Sequence, residues 1–130
     1  MNKSFIPGPL DAANHIEDIV TTAVSRNGAS LDLGVNYAPG GLGQVLTAVV
    51  QVTALDKVTG DETYNLALYE SADNNTFTVC GPVVAATEVG AIAVPGFVSQ
   101  RYIRTQEVLA GTTPSITHSV DLAFGPCCGC

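Results

Sequence analysis

A chain of 130 residues suits one domain around one core, since domains commonly run about 100 to 150 residues. Twelve acidic residues against five basic ones give a net charge of −7, and Lys3, Arg26, Lys57, Arg101 and Arg104 are scattered; phosphate neutralisation needs clustered cations, so nucleic acid is disfavoured as a partner. With 46% hydrophobic and 13% charged residues, but no apolar run of the roughly 18 residues that a membrane span needs, the surplus apolar surface is expected to lie between subunits.

In chain order, Met1 to His15 contains Pro7, Gly8 and Pro9, which disfavour both helix and ladder pairing. It lacks the continuous apolar stretch of a secretory signal. Residues 1–16 therefore read as an extended arm, with Asp11 to Asp18 compatible with one short helix that needs packing to persist. Between Thr21 and Leu33 the pair Asn27-Gly28 separates two short β-compatible runs. That pair tolerates the positive φ angles of a type I′ turn, and a hairpin is predicted. The glycines of Pro39-Gly40-Gly41-Leu42-Gly43 precede no helix pattern and no closing lysine; they form a flexible connection rather than a phosphate cradle.

The remainder reads as strands. Side chains alternate between the faces of a strand, so a half-buried strand alternates apolar with polar residues. Gln44 to Leu55 places Leu46, Ala48, Val50, Val52 and Ala54 on one face, Glu62 to Glu70 does so with Tyr64, Leu66 and Leu68, and Ser115 to Phe124 with Ile116, Val120, Leu122 and Phe124. Thr59-Gly60-Asp61, Asp73-Asn74-Asn75 and Ala110 to Pro114 supply the turns. Val83 to Val94 is interrupted by Glu88 and Gly90, and Phe97 to Val108 sets Arg101, Arg104 and Glu107 among Tyr102, Ile103 and Val108; both are expected at an edge or a subunit contact. The sum is an all-β, single-domain, jelly-roll-like sandwich of about eight strands over residues 17–125, followed by a cysteine-rich tail at 126–130.

Catalytic patterns are weak. His118 is in phase with the apolar set of the last strand, which reads as a buried or interface histidine with a hydrogen-bond partner, against a ligand or pH-switch role. His15 lies in the arm without an obvious companion. Asp61, Glu62, Glu70 and Asp73 flank turns, and solvated turn carboxylates are the better reading than an acid-base pair or weak calcium ligands. No Gly-x-Ser-x-Gly elbow is present. No cofactor or resident metal is expected, and the chain does not read as an enzyme. Cys80 reads as a small buried hydrophobe. Cys127, Cys128 and Cys130 leave three readings open: free thiols on a flexible tail, disulfides between subunits, or a soft metal held by three thiolates, although zinc ligand pairs are normally spaced by two to four residues.

The order of features from Ala29-Ser30-Leu31-Asp32-Leu33-Gly34, through Asp61-Glu62-Thr63-Tyr64 and Leu68-Tyr69-Glu70-Ser71-Ala72-Asp73, to Arg101-Tyr102-Ile103-Arg104 and Gly111-Thr112-Thr113-Pro114-Ser115-Ile116 resembles the jelly-roll capsid cement (decoration) proteins of tailed bacteriophages. The resemblance spans roughly residues 29 to 124. It implies a homotrimer, made in the host cytoplasm, on the outer surface of an icosahedral virion head, clamping neighbouring major capsid protein subunits, with no membrane partner. On that reading the arm residues Phe5, Ile6, Pro7 and Leu10 bind the capsid. Arg101, Tyr102, Arg104 and His118 form the oligomer interface, with inter-subunit disulfides from Cys127, Cys128 and Cys130 as a further option. A carbohydrate- or host-surface-binding sandwich of a phage structural protein is the alternative. It is weakened by the absence of Trp and by only four Tyr and four Phe, because sugar platforms usually present aromatic faces.

Overall fold

A computed structural model describes residues 15–33 and 44–124. The expected arm residues Phe5, Ile6, Pro7 and Leu10, the glycines of 39–43 and the three tail cysteines lie outside these. Among the described residues ten strands run in order: β1 (His15–Thr22), β2 (Arg26–Asn27), β3 (Leu31–Asp32), β4 (Gln44–Leu55), β5 (Thr63–Ser71), β6 (Thr78–Val79), β7 (Val84–Ala85), β8 (Gly90–Val98), β9 (Tyr102–Ala110) and β10 (Ile116–Phe124). Among the described residues there is no helix.

The strands form two antiparallel sheets. One has the order β1-β10-β4-β8; the other has β2-β9-β5-β6, with β3 also on β9 and β7 also on β5. The chain changes sheet from β4 to β5 and again at β8, β9 and β10, so that these strands are dealt alternately to the two sheets, as in a double-sheet jelly roll. The first sheet contributes Leu46, Ala48, Val50, Val52, Val94, Val98, Ile116, Val120 and Leu122, and the second Tyr64, Leu66, Leu68 and Ile103. Burying each such branched side chain is worth about 1.5–3 kcal/mol. The alternation of β4, β5 and β10 is therefore what fixes which way the two sheets face.

The two long edges of the sandwich are closed differently. On one, Cys80 donates its backbone N–H to Leu68 O of β5 (2.9 Å) and accepts from Phe97 N of β8 (2.8 Å), stitching sheet to sheet through a single residue. On the other, where β1 lies over β2, side chains bridge the gap: Arg26 Nη2 to Glu17 Oε2, 2.5 Å.

Four expectations change. Asn27-Gly28 is no hairpin turn, because β2 and β3 both pair with β9 and not with each other; Gly28 instead lets the backbone approach β9, where an added Cβ would stand 2.9 Å from Thr105 Oγ1. Residues 15–18 are strand rather than helix, paired with β10 from His15 onward, so the sheet begins inside the expected arm. Ala54 is exposed instead of inward, since a register shift between Thr117 and His118 opposite β4 reverses the phase after Val52. Of the two weaker strand candidates, β8 is an edge strand but β9 lies within its sheet, between β2 and β5.

Candidate functional site

The outer face of the four-stranded sheet divides into two halves. Along β10 and β1 it is polar: Thr21 and Thr117 share a hydroxyl hydrogen bond (2.8 Å), and His15 Nδ1 lies 2.7 Å from Asp121 Oδ1 while its Nε2 lies 2.7 Å from Asp18 Oδ1. The Asp121 carboxylate, and then Asp18, hold the His15 pKa above its ordinary 6.5. His15 thus has two companions where the sequence offered none. Along β4 and β8 the face is uncharged, with Val45 paired to Phe97, Thr47 to Pro95, Val49 to Ala93 and Gln51 to Ala91. Phe97 is 53% exposed and Val45 42%. Pro95 removes a ladder donor, which β8 tolerates as an edge strand.

Inside the sandwich a second group gathers. Arg26 Nη1 stands 3.2 Å from both Glu17 Oε1 and Glu107 Oε1, and its own pKa is raised chiefly by the Glu17 hydrogen bond. Glu107 Oε2 is in ion-pair contact with His118 Nε2. The contact is not aligned as a hydrogen bond, so Glu107 Oε2 and both ring nitrogens of His118 have no hydrogen-bond partner among the described residues. Glu107 and His118 are wholly buried and Glu17 nearly so. Two register shifts in β1, on either side of Glu17, turn that side chain inward beside Ile16.

The expected interface residues separate. Arg101 binds Asp32 through Nε (2.7 Å) and Nη2 (2.9 Å), which raises its pKa, and lies over the Tyr102 ring at 5.4 Å. Arg104 stacks on Phe77 at 3.9 Å. His118 is interior and offers no surface to another subunit, because it is in phase with Ile116, Val120 and Leu122. Sequence reasoning missed Glu17 and the inward role of Glu107. The first left no signal, since the bulges break the period; the second is in phase with Ile103 and Thr105.

The turn carboxylates act locally. Asp61 accepts from Thr112 Oγ1 (2.6 Å), Thr112 N (3.1 Å) and Thr59 Oγ1 (2.9 Å), and these bonds, the Thr112 hydroxyl first, hold its pKa down. Asp73 accepts from the backbone of Asn75 and Thr76 (3.0 Å each) and from Ser71 Oγ (2.8 Å). Beside the first turn, a groove of about 380 Å³ is lined by residues including Lys57, Glu62, Tyr64, Asn65 and Thr87. Tyr64, the aromatic residue of this lining, is buried, its hydroxyl taken up by Asp56 O and Ser115 N, so the groove presents no stacking ring.

No protein-family model matches the chain, and no curated protein is significantly similar to it. A solved structure with a similar course is that of the Clostridium thermocellum N-terminal endo-1,4-β-D-xylanase 10B CBM22-1 and GH10 modules complexed with xylohexaose. It is 18% identical, with a TM-score of 0.40 over 91% of this chain and 27% of that one. The chain thus spans about a quarter of the length of that protein.

Proposed function

We propose that this protein is a non-catalytic structural module of a phage virion, a cement protein that docks on the outside of the head through the uncharged β4–β8 half of its four-stranded sheet. The observation that supports the reading is that half-sheet itself: Val45 paired with Phe97, Thr47 with Pro95, Val49 with Ala93 and Gln51 with Ala91, without one charge, on a chain whose formal charge is −7. An uncharged, largely apolar strip exposed on an acidic domain suits a contact surface. The resemblance over residues 29 to 124 supplies the partner class, a shell of major capsid protein, and self-association to a trimer belongs to the same reading. Binding several shell subunits at once makes the later contacts intramolecular, so modest contacts add up to strong retention.

A non-catalytic role is supported by where the carboxylates go. Asp61 and Asp73 are occupied by turn hydroxyls and amides, and Glu107 faces the interior. Immunogold labelling of purified particles tests the reading: label in many copies over the outer head surface is expected, reduced when Phe97→Ser and Val45→Ser are combined. Label confined to tails, or a chain absent from particles, overturns it. Retention on soluble polysaccharide without retention on heads transfers the assignment to a carbohydrate-binding module.

A further inference from the structure

We propose that Glu17, Glu107 and His118 form an internal binding site for a divalent transition-metal ion of the Zn2+ class, and that Arg26 is the cation the ion displaces. One ligand atom from each of the three side chains lies within 4.8 Å of the others. Ligands of a tetrahedral zinc stand about 3.4 Å apart at bond lengths of roughly 2.0–2.2 Å, so the His118–Glu107 contact opens by about 1 Å to admit the ion, while the set as a whole already lies within reach of one centre. The three ligands come from three strands, β1, β9 and β10, of two facing sheets, so the backbone holds them in place whether or not an ion is bound.

The independent sign of a ligand is the unmet bonding capacity of the cluster. His118, wholly buried, directs Nε2 at Glu107 without a hydrogen bond, and Glu107 Oε2 likewise has none among the described residues. Buried polar atoms are normally paired. Thr105 Oγ1, also buried and without a hydrogen-bond partner among the described residues, lies with Glu17 Oε1 around the space that a Cβ on Gly28 would fill. The imidazole favours a transition metal over the hard cations: calcium takes six to eight oxygens and magnesium keeps its waters, whereas an imidazole nitrogen is a ligand that zinc takes readily alongside carboxylate oxygens.

Arg26 marks where the positive charge belongs. Its Nη1 is equidistant from the two glutamates. It is also the most exposed member of the group, with 26% of its side chain accessible, and it sits on a two-residue strand at the sheet edge. The ion would enter by that edge as the guanidinium swings outward. A 2+ ion then replaces a 1+ guanidinium between two carboxylates.

The test uses the full chain carrying Cys127→Ser, Cys128→Ser and Cys130→Ser, so that tail thiolates do not compete, stripped of metal with a chelator and titrated calorimetrically with Zn2+. One ion per chain is expected. Affinity should tighten by roughly tenfold in Arg26→Met, which removes the competing cation, and vanish in His118→Gln. Since His118→Gln is liable to misfold, Co2+ is added to the parent and the imidazole resonances are followed by NMR; paramagnetic broadening of His118 supports the site. Broadening of His15 alone overturns the proposal, as does the absence of Zn2+ binding in both the parent and Arg26→Met.

Discussion

His118 on β10 and Glu107 on β9 meet across the middle of the sandwich, each on the inner face of its own sheet. The contact is held by its neighbours: Arg26 binds the other oxygen of Glu107 and ties it to Glu17 on the opposite sheet. Glu107 is the buried carboxylate shared by Arg26 and the His118 ring, and removing one partner of a buried pair leaves the other uncompensated, so Glu107→Ala should lower unfolding stability in urea by about 3–5 kcal/mol. Replacing both residues with leucine should restore most of that loss, because an apolar pair of similar volume carries no desolvation cost. A single-mutant loss below about 1 kcal/mol would show that the pair behaves like an exposed one.

Cys80 is expected to be inert in the folded protein. Burial, with a smaller contribution from the charge of Glu70, pushes its thiol up to about 12, and the thiolate is the reactive form. With the three tail cysteines replaced by serine, a disulfide reagent at neutral pH should label the native chain far more slowly than the urea-unfolded one. Equal rates would place Cys80 in an accessible, activated setting.

Gly81 closes the β8 edge, where a Cβ would stand 2.0 Å from Pro95 O. Backbone must move to admit it, and Gly81→Ala should cost about 1–3 kcal/mol. Hydrogen exchange at Phe97, whose N–H is bonded to Cys80 O, should accelerate in the same variant. Unchanged exchange would mean that the bridge through Cys80 survives.

The Asp61 turn contributes an acid limb. Its folded pKa lies below the ordinary 3.8, so its stabilisation is present above that value and is lost as pH falls through the lower folded value. Asp61→Asn should flatten the melting-temperature profile between about pH 5 and pH 2 by lowering the neutral end slightly, the side chain being solvent-facing, while the two profiles converge in acid. A variant with the full acid slope of the parent would assign that slope to other carboxylates.

Phe97→Ser should leave stability within about 0.5 kcal/mol, as for other surface changes, while raising solubility, since the ring is half-exposed on the β4–β8 face. A loss of several kcal/mol on thermal unfolding would make the ring part of the core rather than of a contact surface.

Much of this fold is legible in the sequence because period-two alternation acts locally. Leu46 to Val52, Tyr64 to Leu68 and Ile116 to Leu122 are buried as their phase requires; an alternating segment has one apolar face, and water drives that face inward whatever it meets there. The same period marked His118 as an inward position and left Arg101 and Arg104 at partly exposed ones. Asn27-Gly28 misled because turn propensity is weak against pairing: β9 offers a free edge to both β2 and β3, and the hydrogen bonds made there outweigh those of a two-residue hairpin.

What the sequence by itself determined is the all-β class, the long strands and the inward set of residues, all consequences of backbone geometry and burial. What only the tertiary structure decided is which strands oppose one another, and with that the meeting of Glu17, Arg26, Glu107 and His118. Two bulges in β1 turn Glu17 inward, and the crossing of β8, β9 and β10 between sheets carries Glu107 and His118 to facing positions. These are long-range pairings. Their energies depend on contacts between residues up to about a hundred positions apart, as with His15 and Asp121, 106 apart, and no local pattern encodes them.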